Sequence, residues 1–202
     1  MAEITSQELV RTIQSISNRE EITWVHFEGR IPDVLAASIP TLRRILPHAT
    51  ISIEFEKPAR PGLLDLLPLA DVAFISHAFY KHFNTSLTEP SSTAFPSFAA
   101  LRERNPKATF IVTGGEEGAW YSLPYDQGHV PARKVKVVDT TGAGDTFIAG
   151  FVYFVSSGEA VASAVEKAVG LASTKCAREG FQGVWDAYNN ATDKSCRLTA
   201  LQ

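Results

Sequence analysis

The sequence predicts an α/β fold, in which the strands of a largely parallel sheet alternate with helices. Two features indicate this fold: short apolar or alternating runs typical of strands recur along the chain, and stretches with apolar residues at helical spacing lie between them. The length and composition of the chain also suit a folded domain. The chain has 202 residues, of which 45% are hydrophobic and 20% are charged, and this is enough for one domain with a sizeable core.

The strands are predicted from short runs rich in β-branched and aromatic residues and bounded by turn residues. Four such runs alternate with helices: residues 22–28, 51–55, 72–76 and 109–113. Residues 119–123 and the segment around His129 and Val130 follow a glycine-rich turn, and they predict a hairpin. A basic, β-branched run at residues 134–138 predicts one more strand.

Each predicted helix has apolar residues that recur every three or four positions. In the first helix these are Leu9, Ile13 and Ile16, and in the second Asp33 is expected to be the N-cap. The predicted helices are residues 5–18, 33–46, 63–67, 77–83, 97–104, 143–157 and 161–176.

Two polar stretches are predicted to lie outside the regular elements. The segment from Asn84 to Pro96 carries two prolines and predicts a loop. Residues 186–202, after Trp185, are polar and predict a frayed C-terminal tail, apart from its last few residues. With that tail included, residues 1–202 are expected to form a single domain.

Charge and composition argue against several classes of function. The net charge of −3 argues against nucleic acid as the main partner, which would require a basic excess. No apolar run approaches the roughly 20 residues of a membrane span, and residues 1–5 do not resemble a secretory signal. Cys176 and Cys196 lie in different contexts and suggest neither a disulfide nor a metal framework. We therefore expect a cytoplasmic protein that binds neither nucleic acid nor membranes.

The most informative segment is the glycine turn at residues 139–147, DTTGAGDTF, between a predicted strand and a buried helix. Amide groups at the start of a helix lack intrahelical partners, and the helix dipole favours anions there. Gly142 and Gly144 remove side chains that would block the close approach of a ligand. Asp145 lies in the same turn, where its carboxylate suits the deprotonation of a hydroxyl that receives a phosphoryl group.

A purely structural interpretation of this turn is also open, because an aspartate in the first turn of a helix is commonly a cap. The nine residues together, however, resemble the D-T-x-G-A-G-D signature of the ribokinase (PfkB) family of carbohydrate kinases. The resemblance implies a three-layer αβα sandwich with a mostly parallel sheet, and an ATP- and Mg²⁺-dependent kinase with Asp145 as its general base. The anion hole would be formed by the N–H groups of Gly142, Ala143 and Gly144.

Two further segments resemble the nucleotide site of the same family. Residues 111–119 are similar to the family's V-T-x-G-x-x-G stretch, although alone they would predict an ordinary β-turn. Residues 175–183 are similar to the K-K-C-G-L-Q-G-F-D-G stretch of ketohexokinases, although alone Cys176 would be a small buried hydrophobic residue. The residues that the resemblance assigns to the nucleotide are Thr113, Gly115, Glu116, Glu117, Gly118, Thr140, Cys176 and Gly180.

Two predicted strand segments resemble those of ketohexokinases, the fructose-phosphorylating branch of the family. Residues 24–30, WVHFEGR, are close to the ketohexokinase W-I-H-I-E-G-R, and residues 52–58 resemble S-V-E-V-E-K-P. Glu28 and Arg30 come at the end of a strand, where open α/β sheets bind ligands. They would either bind a sugar such as fructose or form a structural ion pair, and the sequence favours neither.

The resemblance covers roughly residues 24–185, and the N-terminal part of the family pattern, with its sugar-binding residues and lid, has no counterpart. An N-terminally truncated sandwich is therefore expected, with the strand at residues 22–28 at a sheet edge. Such an edge attracts other chains. We expect it to be covered by a second copy in a homo-oligomer, by a partner chain, or by the helix at residues 5–18.

The sequence leaves metal ligands and present activity open. The stretch at residues 76–79 lacks both groups of the family's N-x-x-E motif, so the direct metal ligands are unknown; Glu54 and Glu56 are candidates to act through water. Three functions remain possible: a carbohydrate kinase, a weak or inactive member that binds nucleotide and a partner, and a kinase scaffold repurposed for other chemistry. Positioning by the sugar half is absent, so weak phosphorylation is expected from the chain alone.

Overall fold

The computed structural model describes residues 3–85 and 97–199 of the chain. Within this part the strands form a sheet in the order β1-β2-β3-β4-β5-β6, and β1 to β4 run parallel to one another. The predicted, largely parallel sheet is therefore confirmed. The strands are β1 (Trp24–Phe27), β2 (Thr50–Phe55), β3 (Val72–Ser76), β4 (Thr109–Thr113), β5 (Ala119–Ser122) and β6 (Gln127–Val130).

The helices agree with the predicted ones through most of the chain. They are α1 (Ser6–Gln14), α2 (Pro32–Ile45), α3 (His77–Thr85), α4 (Ala99–Arg104), α5 (Ala143–Ser156), α6 (Val161–Cys176) and α7 (Val184–Thr199). Short 3₁₀ helices occur at Arg19–Glu21, Leu64–Leu69 and Gly115–Glu117. None of the helices in the described part of the chain is long and apolar enough to cross a membrane.

The chain divides into two compact units. The first comprises Met1–Gly114 and Trp120–Gly128, and the second comprises Gly115–Ala119 and His129–Gln202. The boundary passes through β5 and β6. The single domain expected from the sequence stays a prediction.

The first unit is built around β2, β3 and β4, most of whose side chains are buried. Such burial on both faces is typical of inner strands of a parallel sheet. The helix α2 presents Leu35, Ile39 and Leu42 at helical spacing, each at most 3% exposed. Fully burying one such side chain stabilises a fold by about 1.5–3 kcal/mol, so packing of this face fixes α2 in place.

The strand predicted for a sheet edge, β1, does lie at an edge: among the described residues it pairs with β2 alone. The indole N–H of Trp24 donates to Oγ of the buried Ser52 at 2.8 Å, and Nδ1 of His26 lies 2.9 Å from the same oxygen. The helix α1 begins with a capping box between Thr5 and Glu8, and it packs against α2. Side-chain hydrogen bonds thus tie β1 to its neighbour on one side.

Two predictions about helix and loop ends need comment. Asp33 was expected to be the N-cap of α2, and this is wrong: Ile31 is the N-cap, Pro32 occupies the first turn, and Asp33 follows it. Proline is favoured at this position because its missing N–H would have no partner there. The first two residues of the loop predicted at residues 84–96, Asn84 and Thr85, are instead the last residues of α3. Residues 86–96 lie outside the described residues.

The strand predicted at residues 134–138 does not form. The backbone N–H of Val138 donates to the carbonyl of Cys176 at the end of α6, at 2.8 Å, and not to a neighbouring strand. The side chains of Val135, Val137 and Val138 are exposed. A β-branched run predicts a strand only where a partner strand is available, and in the described part of the chain none pairs with this run.

The C-terminal tail predicted at residues 186–202 is wrong up to Thr199, because α7 runs from Val184 to that residue. Val184 and Tyr188, four residues apart, are buried. Trp185 lies against Tyr153 of α5, with ring centroids 5.2 Å apart. An apolar face that packs against aromatic residues therefore holds a helix whose overall composition is polar.

Candidate active site

The glycine turn begins at Asp139, whose carboxylate accepts hydrogen bonds from three directions. Its Oδ2 lies 2.5 Å from Nζ of Lys175 and 3.2 Å from the backbone N of Gly180, and its Oδ1 accepts from the amide of Thr141 at 2.9 Å. The hydrogen bond from Lys175, and after it those from Thr141, hold the pKa of Asp139 well below its usual range. Asp139 thereby connects the turn to the segment that follows α6.

Lys175 lies in the candidate site, and the sequence analysis assigned it no role. Its side chain is fully buried, at 0% exposure, and Nζ also donates to the carbonyl oxygen of Asp139 at 3.0 Å. The ammonium lies 5.2 Å from the ring centroid of Phe181, a cation–π distance. A lysine in the last turn of a helix ordinarily indicates a solvated residue that favours the helix dipole. Two signals were available: the apolar character of α6 around it, and the lysine that precedes the cysteine in the matching ketohexokinase stretch.

The backbone of Gly142 has φ = 71° and ψ = 15°, the left-handed conformation, and Gly142 is the N-cap of α5. A Cβ added here would lie 2.3 Å from Cζ of Phe181, and the left-handed backbone already favours glycine at this position. The carbonyl of Gly142 accepts from both the amide and the hydroxyl of Thr146, at 2.9 and 2.8 Å. These contacts fix the direction in which the first amides of α5 point.

The three amides predicted to form the anion hole differ in whether they already donate a hydrogen bond within the protein. The N–H of Ala143 already donates to the carbonyl of Thr140 at 3.1 Å. The amides of Gly142 and Gly144 have no hydrogen-bond partner among the described residues. A Cβ added at Gly144 would meet nothing within 4 Å, so open space surrounds this residue. Two unpaired donors, one of them beside open space, are thus available to an anion at the start of α5.

Asp145 lies in the first turn of α5, and its side chain is exposed. It makes no hydrogen bond or ion pair within the part of the chain that the structure describes. The alternative interpretation of this aspartate as a helix cap therefore finds no support, since the N-cap is Gly142 and no side chain caps the helix. A carboxylate held by a helix but not by a partner is available to accept a proton.

The residues assigned to the nucleotide fall into two sets. Thr140, Cys176 and Gly180 are brought together with the glycine turn: the carbonyl of Cys176 accepts from the amides of Val138 and Asp139, and Gly180 binds Asp139. The free thiol of Cys176 is partly exposed. Backbone and side-chain hydrogen bonds of Asp139 therefore link Cys176 and Gly180 to the glycine turn, which contains Thr140.

The other set follows β4. Thr113 ends that strand in the first unit, while Gly115, Glu116 and Glu117 form a 3₁₀ helix in the second. Gly118 has φ = 91°, and a Cβ added there would lie 2.0 Å from the carbonyl oxygen of Val130. The glycine at 118 is therefore required by the close approach of β6. A Cβ added at Gly115 would meet nothing within 4 Å.

Glu28 and Arg30 form an ion pair in the first unit. Their side chains are 56% and 73% exposed, and an exposed pair of this kind contributes about 0–1 kcal/mol to stability. The ion pair therefore contributes little to the stability of the fold. Both alternatives that the sequence left open, a sugar-binding pair and a structural pair, are compatible with this geometry.

Among the described residues, no group of three or more His, Cys, Asp or Glu side chains is arranged to hold a metal ion. Glu56, one of the two carboxylates proposed to act through water, is exposed, and Glu54 is partly buried and has other interactions. Any magnesium at this site would be held mainly by phosphate oxygens, as is common for this ion.

Comparison with known proteins decides the family. The profile of the pfkB family carbohydrate kinases matches residues 3–187. The chain belongs to the pfkB family of carbohydrate kinases. Mouse (Mus musculus) ketohexokinase is 31% identical over 176 residues, which are 80% of this chain and 55% of ketohexokinase. The chain thus spans little more than half the length of this relative.

Solved structures place the pfkB chain in the ribokinase-like α/β fold with a mostly parallel sheet, as predicted. Adenosine kinase from Sinorhizobium meliloti superposes with a TM-score of 0.73 at 19% identity, covering 94% of this chain and 59% of that one. A putative ribokinase II from E. coli in complex with ATP and Mg²⁺ gives a TM-score of 0.67 at 23% identity, covering 87% and 57%. At these identities the likeness concerns the fold.

Proposed function

We propose that this chain carries the nucleotide and phosphoryl-transfer half of an ATP-dependent carbohydrate kinase similar to ketohexokinase. The observation that carries the proposal is the start of α5, where the amides of Gly142 and Gly144 are unpaired and the carboxylate of Asp145 is free in the same turn. Membership of a carbohydrate kinase family supports the same chemistry. The sugar, with fructose as the first candidate, is proposed from the likeness to ketohexokinase.

In this proposal Asp145 accepts the proton of a sugar hydroxyl as its oxygen bonds to the γ-phosphorus. The bond to the oxygen bridging the β- and γ-phosphorus atoms breaks, and ADP leaves with that electron pair. A positioned base contributes about 10²–10⁴-fold to the rate, and loss of one oxyanion donor typically costs about 3–4 kcal/mol. ATP supplies the phosphoryl group, and magnesium neutralises its oxygens when bound. A sugar-binding role for Glu28 and Arg30 stays a prediction from the sequence.

The glycine turn is tested by nucleotide affinity. Gly144→Asp places a negative charge in the open space at the start of α5, and we expect it to abolish ATP binding in a calorimetric titration with Mg²⁺. Ala149→Asp adds the same charge on an exposed position of the same helix, and it should bind ATP like the unmodified chain. Equal affinity of the two variants would contradict the role of the turn.

The role of Asp145 is tested by turnover. Asp145→Asn should lose ADP release with fructose and Mg²⁺ while it retains ATP affinity, because only proton transfer is removed. Asp186, an exposed aspartate in the first turn of α7, gives a matched control as Asp186→Asn. Equal ADP release from Asp145→Asn and the unmodified chain would refute the general base.

Two alternative functions are also considered, because the chain covers only 55% of the length of ketohexokinase. A member that binds nucleotide and a partner, with weak or no turnover, would bind ATP without releasing ADP. A repurposed scaffold would not bind ATP at millimolar concentration. The edge position of β1 supports a second copy or a partner chain at that edge, and cytoplasmic location stays a prediction. The molar mass in solution, measured by light scattering, separates a homo-oligomer from a monomer.

A further inference from the structure

The first unit contains a basic cavity of about 210 Å³ that the proposed kinase chemistry does not use. Two arginines border it, Arg60 from the loop after β2 and Arg104 from the last residue of α4. Apolar side chains of Leu64, Phe79 and Phe83 complete the wall, and both phenylalanines are buried. Among the described residues, no aspartate or glutamate lines the cavity.

The N–H groups of these two arginines are largely unused. Arg43, in the same unit, binds both carboxylate oxygens of Asp71 and is thereby a structural residue. Arg60, by contrast, donates one hydrogen bond, to the carbonyl of Gly29 at 2.9 Å, and has no ion pair among the described residues. Arg104 has neither a hydrogen bond nor an ion pair there, and stacks at 5.8 Å on Phe83. Two guanidinium groups therefore border one cavity, and no carboxylate of the described residues neutralises them.

We propose that this cavity binds a small molecule that carries a phosphoryl group. Guanidinium groups present planar forks of donors that match phosphate oxygens, and two of them balance a dianion. The apolar wall of Phe79 and Phe83 suits the uncharged body of the same molecule. His82 also borders the cavity, and it has other interactions.

The size of the cavity limits the ligand. Pockets for drug-sized molecules hold about 300–1,000 Å³, so a cavity of about 210 Å³ matches inorganic phosphate or a sugar phosphate in size. The glycine turn at Gly142 and Gly144 belongs to the second unit, whereas this cavity belongs to the first. The cavity and the glycine turn are therefore different sites.

The test uses the full chain labelled with ¹⁵N-arginine and a titration with inorganic phosphate, with ionic strength held constant by sodium chloride. The side-chain Nε–H resonances of Arg60 and Arg104 should shift together and saturate with one dissociation constant. Arg44, an exposed arginine outside the cavity, should not shift. Shifts of Arg60 and Arg104 no larger than that of Arg44 would overturn the proposal, and phosphate at the glycine turn leaves all three unchanged.

Variants give the second readout. Arg104→Gln removes a group that makes no hydrogen bond within the described chain, so folding should be preserved, and phosphate affinity at Arg60 should fall about tenfold or more. Arg44→Gln is the matched control and should bind as before. Unchanged affinity at Arg60 in Arg104→Gln would contradict a shared site.

Ligand choice is tested with fructose 1-phosphate and with acetate. Tighter binding of the sugar phosphate than of inorganic phosphate assigns the apolar wall to a sugar body, and equal binding assigns inorganic phosphate itself. Either result supports a phosphoryl site. Saturation by acetate at a lower concentration than by phosphate would overturn it in favour of a carboxylate site.

Discussion

The ammonium of Lys175 lies 2.5 Å from Oδ2 of Asp139 and 3.0 Å from the carbonyl oxygen of the same residue. The lysine ends α6 and is fully buried, and the aspartate opens the glycine turn that precedes α5. Because the same carboxylate also accepts from the amides of Thr141 and Gly180, one ion pair joins both segments. The position of the proposed phosphoryl-binding amides therefore depends on a residue more than thirty positions away.

Replacement of Lys175 by Met should lower the melting temperature by several degrees, since the carboxylate of Asp139 would lose its charged partner. Asp139→Asn should be destabilising as well, because the neutral amide leaves the buried ammonium unpaired. Differential scanning calorimetry of both variants and of the double variant completes a cycle. The double variant should be destabilised by clearly less than the sum of the two, and a strictly additive result would contradict the coupling.

Asp139 should make the unfolding of the protein sensitive to acid. Its pKa in the folded chain is lowered, so the stability it contributes is fully present above its unfolded pKa of about 3.9 and is lost as the pH falls toward the folded value. The urea midpoint of the unmodified chain should therefore fall more steeply between about pH 5 and about pH 3 than that of Asp139→Asn. Glu8 and Glu159 also have lowered pKa values, so some acid dependence will persist in the variant. Parallel curves for the two proteins would refute this assignment.

The two glycines of the turn should respond differently to alanine. Gly142→Ala introduces a side chain at φ = 71° and within 2.3 Å of Phe181, and it should lower the melting temperature. Gly144→Ala has open space around the added methyl group, and the melting temperature should not fall. Phe181→Ala combined with Gly142→Ala should recover part of the loss. Similar melting temperatures for the two single alanine variants would show that the ring does not restrict this position.

The helix α7 should be essential to the stability of the second unit. Tyr188→Ala removes a side chain that is 4% exposed and lies near Phe154 and Trp185, and truncation of this kind costs about 3 kcal/mol. Asn190→Ala, at an exposed position of the same helix, should change the free energy of unfolding by no more than about 0.5 kcal/mol. Urea unfolding followed by tryptophan fluorescence measures both. If α7 did not pack against the rest of the second unit, the two variants would have the same free energy of unfolding.

Sequence reasoning was most accurate for elements whose burial is continuous. The strands Val72–Ser76 and Thr109–Thr113 have the predicted bounds, because short runs with a continuous apolar centre are typical of inner strands of a parallel sheet. The helix Val161–Cys176 was also predicted with its observed bounds. In each case the local pattern and the tertiary environment agree.

Apart from the N-cap of α2, which the adjacent Pro32 decides, the failures concern partners distant in sequence. Residues 134–138 have the composition of a strand, but an amide of Val138 binds the end of α6, a contact that no local pattern encodes. The buried state of Lys175 depends on Asp139, thirty-six residues earlier. The helical tail depends in the same way on aromatic residues of α5 that Trp185 meets in space.

The contact between Gly142 and Phe181 bears on how the family signature can be exchanged between proteins. The ring occupies the volume that any side chain at 142 would need, so residues 139–147 and residues 175–183 form one steric unit despite their separation in sequence. Exchanging residues 139–147 within the family keeps the glycine that the ring requires. Exchanging residues 175–183 alone would change the side chain that packs beside the start of α5.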